Sequence, residues 1–475
     1  MVSLLNRTGK CFTDINGYIV NTIKKLRLER IFLVLGLMLG LFYSIVLPPG
    51  QVPDERTHWN FAKEAYGFYT EEDEVDWYFQ KIGFYEYFSD PALAQDIDAL
   101  KAGMKIHFSD EARSIVRPPS LSAVKYFPAG IVMSIGILLN LPIFWIMTLS
   151  ELTAVLFYVV MGYYALKHMP VMKEVLFVIM LLPMTLQQCT TINYDAVLMP
   201  VSFWMLSYLL LLIYSTKEVG WKQVIPLFIS GFVVLLIKPP VVLILLLFFT
   251  IDRNRVRLNI GSGFELYSFI CGHKLLIFLC IVAAGAAGVY ILRDNSYIRL
   301  LYISLQEPGK TVSIFTNTIR DYTTYYVNTL AGNFGWLTMP MPLGFVLLVY
   351  ITILSVSLCA YNNIKIGTPV RIVSIITVII VIMLVMLALL PWVFHLLGVE
   401  INSITYEELY SQFLNVMRIE GVQGRYFIPI LPVLALSFGG IIRNGKKYFS
   451  LINVILFCWM NIWACAALVD RFWIS

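Results

Sequence analysis

The chain has 475 residues, of which 59% are hydrophobic and 14% charged, with a formal net charge of +5. Its mean hydropathy of +0.75 excludes a soluble globular protein and fits an all-α polytopic membrane protein. The seven cysteines (Cys11, Cys189, Cys271, Cys280, Cys359, Cys458 and Cys465) are scattered, mostly in apolar runs, and the five histidines are isolated. No disulfide framework, thiolate metal centre or nucleic-acid partner is expected.

Lys24, Lys25, Arg27 and Arg30 precede an apolar run from Ile31 to Leu47. The run is long enough to span, so it reads as an anchor and not a cleaved signal, and the positive-inside rule puts residues 1–30 in the cytoplasm. An extracytoplasmic loop over 48–122 follows, with roughly twice as many acids as bases and the tract Glu71-Glu72-Asp73-Glu74-Val75-Asp76. Leu121 to Leu139 is apolar but short, follows Pro118-Pro119 and contains Lys125 and Pro128. It reads as an interfacial helix that does not cross.

With that helix excluded, spans at Pro142–Leu166, Glu174–Thr190 and Ala196–Tyr214 leave every basic loop on the cytoplasmic side. The apolar stretch Val224–Thr250 is interrupted at Lys238-Pro239-Pro240, which predicts a broken helix or tight hairpin. Lys274–Leu292 leads out to an external loop over 293–340. Met341–Tyr361, Ile372–Leu397, Tyr426–Ile442 and Phe449–Val469 complete about eleven spans, with a second external loop over 398–425. The division is thus a transmembrane module over 31–292, the loop 293–340, and C-terminal helices over 341–475.

The polar residues with chemical potential collect on the extracytoplasmic face. In Pro53-Asp54-Glu55-Arg56-Thr57-His58, proline and acids suit a helix start, and His58 lies four residues from Asp54 and three from Glu55. Helix capping accounts for this pattern, and so does a carboxylate general base with neighbours that adjust it. In Gly421-Val422-Gln423-Gly424-Arg425, Arg425 is either an interfacial snorkelling residue or a fork for two phosphate oxygens. Lys238 sits where an ammonium costs roughly 2.5–3.5 kcal/mol on insertion scales, beside a backbone break that needs a polar cavity. Asp195 is a turn former or a site residue. Tyr322, Tyr325, Tyr326 and Trp336 fit an aromatic belt or a sugar-stacking surface. No phosphate loop, zinc-ligand spacing or nucleophile elbow is present.

Pro53 to His58, Arg117-Pro118-Pro119, Asn193-Tyr194-Asp195-Ala196, Lys238-Pro239-Pro240, Gly335-Trp336 and Gly421 to Pro429 together resemble the bacterial membrane-protein family known as domain of unknown function 2142. That family in turn looks like a distant relative of the GT-C glycosyltransferases. The resemblance implies a GT-C-like fold with interfacial helices in the first external loop. It also implies transfer of a sugar, with inversion, from a polyprenyl-phosphate donor to a cell-envelope polysaccharide, teichoic-acid-like polymer, glycolipid or protein, at the outer side of the plasma membrane. In that reading Asp54 is the base and Glu55 and His58 position it. Arg425, Lys238 and Arg117 take the donor phosphate, and Asn193, Tyr194, Asp195, Trp336 and Gln423 meet the sugar or acceptor. A divalent metal, where used, would fall to Asp54 and Asp195, although the Asp-x-Asp form typical of metal binding is missing. A lipid-linked oligosaccharide carrier and a non-catalytic envelope-assembly protein are the alternatives. The one-sided polar loops and the lack of an internal repeat favour the enzyme.

Overall fold

The computed structural model describes residues 27–48, 50–69, 101–260, 264–265, 272, 296–360, 364–401, 403–441 and 446–474. The acidic tract over 71–76 and the span expected over 274–292 lie outside these residues. The architecture is all-α and membrane-embedded. Among the described residues five helices are long and apolar enough to cross a bilayer, and five shorter apolar helices accompany them.

Helix α1 (Leu28–Val46) packs along α4 (Ile143–His168), and α7 (Asp195–Tyr214) packs on the other side of α4. The α7 helix is apolar all round and buried over most of its length, the composition of a central helix. The outer faces of α1 and of the peripheral helices instead expose large apolar side chains such as Val34, Met38, Phe228 and Ile379, the surface that lipid covers.

Three expectations are corrected by local chemistry. Glu174–Thr190 is not one span but two short buried helices, α5 (Lys173–Met180) and α6 (Pro183–Cys189). Pro183 cannot continue the first helix and holds Leu182 extended. Thr185 Oγ1 donates to the Ile179 carbonyl at this break, 2.8 Å away.

Leu121 to Leu139 likewise divides, into a 3-10 turn (Leu121–Tyr126) and α3 (Ala129–Leu138), because Pro128 follows an extended Phe127. At 10 residues α3 is too short to span. The region 293–340 is not a loop: it contains α9 (Ser296–Gln306) and α10 (Pro308–Ala331), followed by a tight hairpin pairing Asn333–Phe334 with Met339–Pro340.

The break at Lys238 is present as expected. Helix α8 (Trp221–Ile237) ends there, and a 3-10 stretch (Pro239–Thr250) packs back along it. Val219 N–H donates to the Arg255 carbonyl at 2.8 Å, and Arg257 N–H to the Val219 carbonyl at 2.9 Å, which closes the open end of the hairpin and leaves Lys238 at its tip. After α11 (Leu343–Cys359) come α12 (Thr368–Ala388), α13 (Leu390–Leu396), α14 (Tyr406–Asn415), a 3-10 stretch (Gly424–Ile430), α15 (Leu431–Phe438) and α16 (Lys446–Val469).

Helix ends sort into two groups. In one, Lys173 pairs with Glu29 at 2.9 Å, Arg255 donates to carbonyls at the end of α7, and Arg371 donates to the Ser437 and Gly439 carbonyls at the end of α15. Arg255 and Arg371 there complement the negative ends of helix dipoles, whereas Lys173, at the start of α5, meets a carboxylate in the first turn of α1. In the other group, Trp473 Nε1 donates to the Val46 carbonyl at 3.1 Å, and the neighbouring Phe472 lies against the Gly335 turn.

Candidate functional site

Asp54 stands at the start of α2 (Glu55–Ala65) with a left-handed backbone, φ 65°, and its side chain does not cap the helix. Its carboxylate is instead 44% exposed and pairs with Arg425 at 3.4 Å. Arg425 is held by three elements at once. Its Nε donates to Gln423 Oε1 at 2.5 Å, one terminal nitrogen donates to Gln188 Oε1, and the other meets Asp54. Only 3% of this guanidinium residue is exposed.

Gly424 explains how a buried arginine reaches this place. A Cβ there would lie 1.9 Å from the Tyr326 carbonyl oxygen, and the Gly424 N–H donates to Thr329 Oγ1 at 2.8 Å, so the chain runs flush against α10.

Lys238 and Arg425 converge on one ring. The Lys238 ammonium sits 3.9 Å from the centroid of Tyr426 and the Arg425 guanidinium 5.4 Å from it. Lys238 Nζ is buried and has no hydrogen-bond partner, while its stem remains half-buried on the hairpin surface. Asp195, 3% exposed at the first turn of α7, acts electrostatically on both cations. The centre therefore gathers two buried cations, one buried carboxylate and one half-exposed carboxylate. Such an array suits an anion that can displace Asp54 from Arg425 and complete the coordination of Lys238.

The other expected residues fall into distinct places. Glu55 is buried away from solvent, its Oε2 accepting from Gly50 N–H at 2.8 Å and Val52 N–H at 3.3 Å. His58 lies edge-on to Tyr194 at 4.6 Å, and its Nδ1 is 3.2 Å from the Tyr126 hydroxyl. Burial, with Arg425 and Lys125 nearby, lowers its pKa to about 3, so the imidazole is neutral at ordinary pH.

Asn193 is a scaffold residue: its Oδ1 caps α7 by accepting from Ala196 N–H at 2.9 Å, and its Nδ2 donates to the Gln188 carbonyl and Thr191. Trp336 packs against the apolar cluster that contains Trp59, Tyr126 and Ile192, after a Gly335 turn clamped by the Gln187 carboxamide, whose Nε2 donates to the Gly335 carbonyl and whose Oε1 accepts from the Gly335 N–H, each at 3.1 Å. Arg117 is not at the Arg425 centre. It pairs with Glu64 at 2.7 Å in a polar pocket of about 340 Å³ shared with Ser120, Ser122 and Lys125, and the contact between the two places runs through Tyr126 and His58.

Gln188, Tyr426 and Glu151 were not singled out from sequence. Gln188 was signalled by a Gln-Gln pair in an apolar run, and Glu151 by being an acid within a span. Among the described residues no three acidic, histidine or cysteine side chains converge as a metal site. Asp54 is paired with Arg425 and Asp195 faces two cations, so the donor set does not fit a divalent metal, and no step below uses one.

The family described as predicted membrane protein (DUF2142) matches residues 37–434. The chain belongs to that family. Comparison with curated proteins and with solved structures gave no match. The DUF2142 region encloses Asp54, Asp195, Lys238 and Arg425, whereas the Trp473 contact that ties α16 to α1 lies beyond it.

Proposed function

We propose that this protein is a GT-C-type integral-membrane glycosyltransferase that takes a sugar from a polyprenyl-phosphate donor and passes it to a cell-envelope glycan, glycolipid or protein. The amino terminus is cytoplasmic and the reaction runs on the extracytoplasmic face of the plasma membrane. The observation that carries this reading is the convergence of Arg425 and the Lys238 ammonium, which has no hydrogen-bond partner, on Tyr426 beside the half-exposed Asp54.

Donor phosphate binds between Arg425 and Lys238, and its arrival frees the Asp54 carboxylate from its ion pair. Asp54 accepts the proton of the acceptor hydroxyl as that oxygen attacks the anomeric carbon. The anomeric carbon–phosphate oxygen bond breaks on the opposite side, its electron pair leaves on polyprenyl phosphate, and configuration inverts. The two cations offset the negative charge on the departing oxygens in a site largely closed to water. Asp54 suits the base better than Glu55, whose carboxyl is 2% exposed and committed to backbone amides. An apolar cleft of about 470 Å³ between α4, α7 and α8, lined by Phe127, Phe157, Met161, Trp204, Ile229 and Val233, suits the isoprenoid tail.

The test is the affinity of the purified protein, in lipid nanodiscs, for undecaprenyl phosphate. Lys238→Gln and Arg425→Gln are expected to weaken it about tenfold or more, or about 1.4 kcal/mol, with Arg117→Gln unchanged. Absent wild-type binding, or binding indifferent to both substitutions, contradicts the assignment. Movement of a lipid-linked sugar across the bilayer without cleavage would favour a carrier instead.

A further inference from the structure

The tyrosines of α10 and a charged cluster beside them take no part in the reaction just described. Backbone contacts fix their place relative to Arg425. Gly424 N–H donates to Thr329 Oγ1 at 2.8 Å, Ile419 N–H donates to Thr318 Oγ1 at 2.8 Å, and the Met417 carbonyl accepts from Asn317 Nδ2 at 3.2 Å. Followed back from Arg425, the chain thus runs along α10 past Tyr326, Tyr325 and Tyr322. Tyr325 stands at the Arg425 end. The Thr329 hydroxyl that accepts from Gly424 also donates to the Tyr325 carbonyl at 2.7 Å, and the charges of Arg425 and Asp54 act on the Tyr325 phenol.

Tyr325 is 36% exposed. Its ring centroid is 6.2 Å from that of Tyr322 and 6.3 Å from that of Tyr326, and both neighbours meet it at steep angles, 66° and 60°, without stacking. Further from Arg425, Asp321 accepts from Arg320 Nε at 2.9 Å and meets Arg418 Nη1 at 3.5 Å, while Arg418 Nε meets Glu420 at 3.4 Å. The Arg418 guanidinium also covers Tyr322, 5.1 Å from the ring centroid. Both Arg418 contacts are long beside the roughly 2.7–2.9 Å of a tight charged pair, and the Asp321, Glu420 and Arg418 side chains are 29%, 40% and 44% exposed. Hydrogen-bonding capacity is left over on all three.

An aromatic belt accounts for tyrosines at a membrane interface but not for loosely paired carboxylates beside them. Two arginines here face two carboxylates, so their charges cancel and the cluster suits a neutral polar ligand better than an anionic headgroup. A sugar has the matching chemistry: the C–H groups of one pyranose face cover an aromatic ring, and the hydroxyls exchange hydrogen bonds with guanidinium and carboxylate. From Thr329 to Asp321 the helix covers ~12 Å at ~1.5 Å per residue, a distance that two linked sugars bridge and one does not.

We infer that the Tyr325 face and the Arg418 cluster form an acceptor site for a neutral glycan chain, with the terminal sugar stacked on Tyr325 and the sugar behind it held by Arg418, Asp321 and Glu420. Delivery of the terminal hydroxyl to Asp54 rests on the proposed function; glycan binding on α10 does not. Among the acceptors that reaction could use, this site selects a glycan of at least two sugars over a protein side chain.

The probe is the set of short oligosaccharides cut by mild acid from the source organism's own cell-envelope polysaccharide and separated by length. Saturation-transfer NMR with the full-length protein in phosphatidylcholine nanodiscs, without donor, should show saturation passing from protein to sugar C–H protons. Tyr325→Ala should weaken binding about tenfold and Tyr325→Trp should retain it. Tyr325→Leu, which keeps an apolar anchor at the interface but no ring, should weaken it as alanine does. No saturation transfer to any wild-type sample, or leucine binding like the wild type, overturns the inference. Wild-type affinity should rise about tenfold from one sugar to two, and Arg418→Gln should remove that rise; a rise that survives the substitution overturns the two-sugar site. Phosphatidylglycerol in the nanodisc should leave glycan binding unchanged, and competition by it would give the face to lipid. Where transfer is measurable, Tyr325→Ala should raise the acceptor KM about tenfold and leave the donor KM where it is. Glycan binding without any transfer would sink the enzyme reading alone, whereas transfer to protein with no glycan binding would sink this inference alone.

Discussion

Asp54, Lys238 and Arg425 were legible in the sequence because each is a charged residue beside an irregular backbone, next to proline or glycine, where a membrane chain tolerates it only with partners. Their mutual arrangement was not legible. Arg425 meets Asp54 across 371 positions of the chain, and no local periodicity encodes such a contact. Gln188 was hidden for a related reason: an amide in an apolar run looks like a packing residue until the guanidinium it receives is seen. Lys238→Met supplies a prediction at this scale. Removing a buried ammonium with no hydrogen-bond partner should raise stability by about 1 kcal/mol or more while abolishing lipid-phosphate binding. Thermal unfolding of the detergent-solubilised variant checks it, and a lower midpoint would make Lys238 a structural residue. His58 gives a second. Because its pKa is depressed from 6.5 to about 3, its contribution to stability is present above pH 6.5 and is lost as pH falls from there towards 3. Nitrogen NMR shifts of the labelled imidazole at about pH 5 should report a neutral ring, and a charged ring there contradicts the burial described.

At the scale of elements, apolar run length located α1, α4 and α7 well, since a span is mostly a matter of composition. Breaks were harder. Lys238-Pro239-Pro240 announced itself through two prolines and a charge, but Pro183 and Pro128 each sit alone within apolar sequence, and each divided a helix that hydropathy had joined. The α10 helix escaped for the opposite reason: its threonines, asparagines and tyrosines read as loop, yet it buries Ile314, Thr318, Thr329 and Leu330 along one side. That helix is the wall against which the Arg425 segment is seated. Gly424→Ala should therefore cost about 1–3 kcal/mol and displace Arg425, because the obstructing atoms at 1.9 and 2.8 Å are backbone atoms of α10. Chemical denaturation should show the loss together with weakened lipid-phosphate binding, and unchanged stability would mean that the two elements can part without cost.

For the whole molecule, charge parity sorted the polar segments by membrane face and left open which of them would touch. Glu29 with Lys173, and Arg371 with the carbonyls at the end of α15, form one group, while Asp54, Asp195, Lys238 and Arg425 come together in another. The direction of that array in the membrane is a separate prediction. In a cysteine-free background, Glu407→Cys should react with an impermeant thiol reagent applied outside the cell, and Lys217→Cys only after permeabilisation; the reverse pattern would invert the topology. The central claim is chemical, and release of free polyprenyl phosphate measures it most directly. Proteoliposomes containing the wild type, a polyprenyl-phosphate sugar labelled in the sugar, and cell-envelope acceptor should transfer the label and liberate polyprenyl phosphate in equal amounts. Asp54→Asn, folded and still binding the lipid phosphate, should slow both by about 10²–10⁴-fold. Equal rates for Asp54→Asn and the wild type, or lipid phosphate bound but never released from its sugar, would contradict the account.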